Sequence, residues 1–148
     1  MTTYYFFNSY NIKTHQKEAD PEAESIVENI RETELGGYTE DEMSFLCDIM
    51  PSIDEDYLTG DEFDEQMQAW PIRHDELLSG INKYVAKYRK IIDKQTETNI
   101  PEEPDSHERY YEVCDRYNNI LLFTMAYALQ QHLEHFNDPN IVYYLTTI

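Results

Sequence analysis

Hydrophobic residues recur at intervals of three and four along most of the chain, which is the spacing of one face of an α-helix. One long stripe of this kind begins at Leu77 and ends at Ile92, and a second extends from Tyr110 to Phe136. Shorter stripes precede them and predict several short helices between residues 18 and 70. The pattern therefore predicts a mainly helical chain in which two long helices pack in antiparallel orientation.

Both ends of the chain are rich in aromatic and β-branched residues, which favour extended structure. Because an isolated strand leaves backbone polar groups unpaired, the strands predicted at 3–12 and 140–148 are expected to pair with each other or with a neighbouring chain. The predicted fold class is mainly α, of the α+β type, with a minimal sheet from these terminal strands. We expect a single domain, 1–148, with an acidic short-helix region at 18–70 and a long-helix region at 72–136.

Residues that cap helix N-termini indicate where the short helices begin. Asp20 precedes Pro21, a pair typical of a helix start. Capping boxes, in which Ser or Thr is followed three positions later by Glu, occur at Thr39 with Glu42, Ser52 with Glu55 and Thr59 with Glu62. The apolar residues that these helices are expected to bury are Met43, Leu46, Cys47, Met50, Tyr57, Leu58, Phe63, Met67 and Trp70.

The charge of the chain is strongly negative and unevenly distributed. The formal net charge is −19, and residues 18–65 contain eighteen acidic residues against one basic residue, Arg31. Self-repulsion of this size opposes compactness, so the acidic stretch is expected to serve solubility or the binding of a basic partner.

The spacing of the acidic residues is compatible with the second of these uses. Glu24, Glu28 and Glu32 lie on one line of a predicted helix, about 6 Å apart along its axis. The phosphates of one B-DNA strand are spaced by about 3.4 Å, so two adjacent rows of carboxylates would approach the charge density of a strand. The second row would be supplied by Asp54, Glu55, Asp56, Asp61, Glu62, Asp64 and Glu65.

These features predict an acidic inhibitor or antagonist that docks on a basic, nucleic-acid-binding protein, as small anti-defence and immunity proteins do. Trp70 follows the acidic clusters and would serve as an aromatic anchor of the interface. Two alternatives stay open. In one, the carboxylates form only a solvated surface with helix caps; in the other, the chain is a homo-oligomeric structural or assembly protein whose acidity serves solubility alone.

The basic residues of the first long helix do not change this interpretation. They recur at helical spacing at Lys83, Lys87, Arg89, Lys90 and Lys94. Since a chain of this net charge repels the phosphate backbone, direct binding of nucleic acid is not expected. The stripe is expected to be solvated or to face the acidic third of the molecule.

Motifs for catalysis or cofactor binding are not found in the sequence. There is no nucleophile elbow, phosphate-binding glycine loop or dinucleotide fingerprint. Cys47 and Cys114 lie on apolar stripes, where cysteine is usually an inert packing residue. His132 and His135 lie close on one helix, but the His-Glu-x-x-His spacing of zinc hydrolases is missing. We therefore predict no enzymatic activity, no cofactor and no metal, with metal binding by the two histidines left open.

The sequence also bears on the location of the protein. The N-terminal residues do not resemble a secretory signal, and no apolar run reaches the roughly 18 to 20 residues of a membrane span. The two cysteines lack zinc-type spacing and suit reduced thiols. The chain is expected to be cytoplasmic.

Overall fold

A computed structural model of the protein describes residues 4–30, 38–39, 46–54, 58–96 and 107–147. Helices predominate among them, and they are accompanied by a small antiparallel sheet. This arrangement confirms the predicted α+β class. None of the described helices combines the length and apolar character needed to cross a bilayer.

The elements follow one another with short strands between the helices. In chain order they are β1 (Tyr4–Asn11), β2 (Gln16–Lys17), α1 (Pro21–Ile30), β3 (Tyr38–Thr39), α2 (Gly60–Ala69), β4 (Ile72–Arg73), α3 (His74–Thr96), α4 (His107–His135) and β5 (Ile141–Thr147). Residues 46–49 form a further helical turn.

The two terminal strands pair with each other along most of their length. β1 and β5 run antiparallel through seven residue pairs, from Tyr5 with Thr147 to Asn11 with Ile141. β2 and β3 pair with opposite ends of β1, and β4 pairs with the other edge of β5. The sheet is therefore wider than the two strands that the sequence indicates. The three additional strands were not predicted, because strands of two residues carry no periodic signal.

The two faces of the sheet are covered by different helices, because successive strand residues point to opposite sides. One face packs against α1, α3 and α4 through Phe7, Ile141, Tyr143 and Leu145. The other packs against Phe63 and Met67 of α2 through Tyr10, Val142 and Tyr144. Helices α1 and α2 consequently lie on opposite faces of the sheet.

The two longest helices contact each other over much of their length. His74, at the start of α3, bonds through Nε2 to the backbone carbonyl of Leu133, near the end of α4. Further along α3, the Arg89 guanidinium lies 5.6 Å from the ring centroid of Phe123, which is earlier in α4. Contacts thus advance along α3 while they move back along α4.

Two of the predicted helix starts are confirmed in atomic detail. The Asp20 carboxylate accepts the backbone N–H of Ala23 at 3.1 Å, and α1 begins directly after Asp20. Thr59 and Glu62 form the reciprocal capping box of α2, with N–O distances of 3.2 and 3.4 Å.

The other two capping boxes are only half described. Thr39 lies in β3, where it pairs with Tyr4, and Ser52 forms an isolated bridge with Leu145 of the sheet. Their glutamates, Glu42 and Glu55, lie outside the described residues.

Most apolar residues predicted to face the core do so. The buried ones are Leu46, Met50, Phe63 and Met67, and the half-buried ones are Cys47 and Leu58. Met43 and Tyr57 lie outside the described residues. Trp70 is a correction, since 60% of its surface is exposed. It follows the last residue of α2 with non-helical backbone angles, so the helical stripe does not extend to it.

Candidate functional site

Helix α2 presents acidic side chains on the side away from the sheet. Its buried residues, Phe63 and Met67, define the inward side, and the exposed residues Asp61, Glu62 and Glu65 lie on the outward side. We call these three residues the α2 acidic surface. Asp61 and Glu62 are in the first turn of α2, where carboxylates interact favourably with the helix dipole.

The basic side chain nearest to the core of α2, Lys17, lies with its ammonium 4.9 Å from the ring centroid of Phe63, on the inward side of the helix. Helix α2 contains no lysine or arginine. Within the described part of the chain, no ion pair joins Asp61, Glu62 or Glu65 to a basic side chain. Trp70 lies directly beyond the C-terminal end of the same helix. Negative charge and an exposed indole therefore occur together at one helix.

Asp64 belongs to the same helix, is partly exposed, and forms hydrogen bonds to neighbouring parts of the fold. Its carboxylate accepts the Tyr10 hydroxyl at 2.8 Å and the Gln68 amide at 3.0 Å, and it lies 2.6 Å from His15 Nδ1. The hydrogen bond from Tyr10, followed by that from His15, lowers the pKa of Asp64. Asp64 thus fastens the β1–β2 hairpin to α2.

The glutamate row predicted on α1 also contains one residue that is bonded to the sheet and one that is exposed. Glu24 is half-buried and accepts the backbone N–H of Ser9 in β1 at 2.9 Å, so it ties α1 to the sheet. Burial raises the pKa of Glu24, and the Ser9 hydrogen bonds oppose that rise. Glu28 is exposed, and Glu32 lies outside the described residues.

As far as the remaining predicted acids are described, they do not complete a second row beside α1. Asp54 is exposed before α2, while Glu55 and Asp56 lie outside the described residues. Since α1 and α2 cover opposite faces of the sheet, their carboxylates do not stand side by side. The α2 acids therefore do not form a row adjacent to α1, because periodicity shows which residues share a helix face but not which side of a sheet the helix covers.

The lysine stripe of α3 is exposed at Lys83, Lys87 and Lys90. The Lys87 ammonium lies 5.6 Å from the ring centroid of Tyr84, whose hydroxyl donates to Asp48 at 2.7 Å. No ion pair between these three lysines and an acidic side chain is found among the described residues. The stripe therefore does not neutralise the α2 acidic surface.

A second candidate site is a buried polar cluster where α1, α4 and the sheet meet. Asp20 is 2% exposed, and both of its carboxylate oxygens lie 2.9 Å from His132 Nε2. The Tyr143 hydroxyl donates to Asp20 at 2.7 Å, and the Asp20 N–H donates to Ser9 Oγ at 2.8 Å. We call Asp20, His132, Tyr143 and Ser9 the Asp20–His132 centre. Burial, then the bond to Asp20, raises the pKa of Tyr143.

The Asp20–His132 centre adjoins a surface cleft of about 570 Å³. The cleft is lined by Glu22, Ile26, Ala128, Gln131, His132, His135 and Phe136. The His132 ring stacks on Phe136, with centroids 5.1 Å apart, and its Nδ1 atom lies 3.4 Å from Glu22 Oε2. One nitrogen of His132 is thus fixed in the interior, and the other is directed at an exposed carboxylate.

The sequence shows the members of this centre but not their association. Asp20 is recognisable as a helix cap and His132 as a possible ligand, yet the two residues are 112 positions apart. No periodic pattern links a cap at one end of the chain to the last turn of the final helix.

No protein-family model, curated protein or solved structure matches the chain. The geometry of its own side chains is therefore the basis on which a function can be proposed. Two features of this geometry can be used: the α2 acidic surface with Trp70, and the Asp20–His132 centre with its cleft.

Proposed function

We propose that the protein is an acidic, cytoplasmic inhibitor or antagonist that binds a basic, nucleic-acid-binding protein. The observation that carries the proposal is the exposure of Trp70 at the end of a helix that contains no lysine or arginine and whose outward side is acidic. Tryptophan is strongly enriched among residues that dominate binding energy. A large exposed indole on the same helix as carboxylates that form no ion pair among the described residues is therefore suited to a charged interface with an aromatic anchor.

The two parts of this surface would have different roles in binding. The carboxylates would accelerate encounter with a positively charged cleft and select against acidic partners. Trp70 would insert into a pocket of the partner and slow dissociation. Asp61 and Glu65 are one helical turn apart, about 6 Å along the axis, which is nearly twice the B-DNA phosphate step of about 3.4 Å. Any nucleic-acid mimicry thus depends on α2 and not on a second row from α1.

The proposal is tested by capturing a partner from cells with the full-length protein and measuring the affinity of variants. Trp70→Ala should weaken binding by about 2 kcal/mol, roughly a 30-fold rise in Kd. The triple variant Asp61→Asn, Glu62→Gln and Glu65→Gln should mainly slow association and reduce its salt dependence. Glutamine at position 62 retains the capping box, so α2 should stay folded.

Tyr127→Ala is the matched control, because Tyr127 is also an exposed aromatic residue but lies on α4. It should leave Kd unchanged, and duplex DNA should compete with the protein for the partner. A captured partner whose binding resists salt and both α2 variants would contradict the proposal.

A homo-oligomeric assembly protein is the second candidate, and it is favoured by a different surface. Ile120 and Tyr127 on α4 are 40% and 42% exposed, and no Asp, Glu, Lys or Arg occurs between Arg116 and Glu134. An uncharged helix face is where two strongly negative copies would repel each other least. Light scattering at two protein concentrations decides this case: a dimer disrupted by Tyr127→Glu supports it, and a monomer at both concentrations removes it.

A further inference from the structure

Another surface cleft, of about 600 Å³, lies beside the first turns of α3. We call it the α3 cleft. Its apolar lining includes Ile49 from the helical turn at 46–49, Ile72 from β4 and the glycine Gly80 of α3. Ile72 comes two residues after Trp70, and two residues of chain span at most about 7 Å. The α3 cleft therefore adjoins the aromatic residue of the proposed interface.

Three exposed carboxylates and one exposed lysine also line the α3 cleft, namely Asp48, Asp75, Glu76 and Lys83. The Tyr84 hydroxyl donates to Asp48 at 2.7 Å and holds this carboxylate at the cleft. Asp75 contacts the His74 ring at 3.0 Å through one oxygen, while its side chain is 90% exposed. Glu76 and Lys83 form no ion pair among the described residues. The cleft thus combines an apolar lining with an excess of negative charge.

We propose that the α3 cleft receives an arginine side chain of the basic partner protein, an inference that rests on the function proposed above. Arginine has an apolar methylene stem and a charged head, and such side chains bury the stem while the head stays near water. The stem would lie against Ile49 and Ile72, and the guanidinium would bond to the exposed carboxylates. Both the shape and the charge of the cleft are therefore complementary to this side chain.

The spread of the carboxylates favours a guanidinium over a more compact cation. Within the described part of the chain, no three His, Cys, Asp or Glu side chains converge on a position that could hold a metal ion. A guanidinium presents five N–H donors in a planar, fixed arrangement, so it can bond to acceptors that are too far apart to share one ion. Lysine presents a single compact ammonium group and would satisfy fewer of these acceptors.

The cleft hypothesis is tested without the partner, by NMR titration of the ¹⁵N-labelled full-length protein with short peptides. The probes are a blocked Gly-Arg-Gly peptide and the same peptide with lysine, or with citrulline as the uncharged analogue of arginine. We expect saturable shifts of the amides at 48–49 and 72–84 with the arginine peptide, weaker binding of the lysine peptide and no binding of the citrulline peptide. At 0.15 M salt the Debye length is about 8 Å, so remote carboxylates contribute little.

Variants of the lining residues should change the affinity in opposite directions. Asp75→Asn and Glu76→Gln should each raise the Kd of the arginine peptide about two- to fivefold, as expected for exposed ion pairs. Lys83→Gln removes the positive charge of the lining and should lower the Kd. These three residues are exposed on α3, so the variants should fold. Glu65→Gln makes the same change of charge on α2 and is the matched control, which should leave the Kd unchanged.

The proposal is overturned if no saturable shifts occur, if the lysine or citrulline peptide binds as tightly as the arginine peptide, or if the control weakens binding equally. The peptides offer no pocket for an indole, so Trp70→Ala should not change their Kd. A protein that does not bind the arginine peptide, but whose captured partner still depends on Trp70, would refute the α3 cleft alone. Peptide binding together with a partner that is insensitive to both α2 variants would refute the α2 interface alone.

Discussion

Glu24 and Asp64 connect their helices to β1, because Glu24 accepts the Ser9 N–H and Asp64 accepts the Tyr10 hydroxyl. Each lies on a helix that carries several other acidic residues, and nothing in the sequence marks it as the one that forms a hydrogen bond to another element. Side-chain type and spacing cannot distinguish them from Glu28 or Glu65, because the distinguishing partners, Ser9 and Tyr10, come from another element. At this scale the sequence predicts candidate residues but not which of them stay available to a ligand.

The raised pKa of Glu24 has a consequence for stability. A carboxyl group whose pKa is higher in the fold than in the unfolded chain contributes stability that is present below its ordinary pKa of 4.5 and lost as pH rises through the folded value. Glu24→Gln keeps an oxygen that can accept the Ser9 N–H and removes the half-buried charge. We therefore expect the variant to be at least as stable as the native protein at neutral pH.

Urea unfolding at a series of pH values from 4.5 upwards measures this effect. The native protein should lose stability across part of that range, and Glu24→Gln should lose less. Glu65→Gln is the control, since Glu65 is exposed on α2 and should leave the pH profile unchanged. A Glu24→Gln protein that is less stable at neutral pH would mean that the ionised carboxylate stabilises the fold.

At the scale of elements, the long periodic segments were the most predictable. The stripe from Leu77 to Ile92 lies within α3, and the predicted terminal strands agree with β1 and β5 to within one residue at each end. The two-residue strands and the opposite placement of α1 and α2 were not predictable, since both depend on tertiary contacts. Trp70 was also placed wrongly by its spacing. Its position continues the apolar stripe of α2, but the helix ends before it, so its side chain does not join the buried face.

Close packing of α3 against the helical turn at 46–49 gives a prediction at this scale. A Cβ atom at Gly80 would lie 2.7–2.9 Å from three carbon atoms of Ile49. Alanine is the better helix former by about 1 kcal/mol, but overpacking costs about 1–3 kcal/mol. We expect Gly80→Ala to lower the free energy of unfolding, although the helix itself would gain.

A double-mutant cycle separates these two effects. In an Ile49→Ala background the clash is removed, so Gly80→Ala should become neutral or stabilising. Ser79→Ala changes an exposed neighbour on the same helix and controls for helix propensity. If Gly80→Ala stabilises the otherwise native protein in chemical denaturation, the turn at 46–49 does not pack against α3 as closely as these distances indicate.

The whole molecule combines a net charge of −19 with carboxylates on both sides of one small sheet. Asp20, Glu24 and Asp64 form hydrogen bonds to other elements of the fold. The carboxylates of the α2 acidic surface form no ion pair with a basic side chain among the described residues. The negative field is therefore spread around the protein, and what distinguishes α2 is Trp70 rather than charge density alone. This is why the aromatic variant, more than the charge variant, tests the proposed interface.

Salt should affect folding and binding in opposite directions. Added NaCl screens the mutual repulsion of the carboxylates, and the Debye length falls to about 10 Å at 0.1 M and about 3 Å at 1 M. The free energy of unfolding, measured by urea denaturation, should therefore rise with NaCl concentration, whereas the affinity for a basic partner should fall. A fold that is destabilised by NaCl would show that attractive ion pairs outweigh the repulsion among the carboxylates, and this account of the salt dependence of folding would then be wrong.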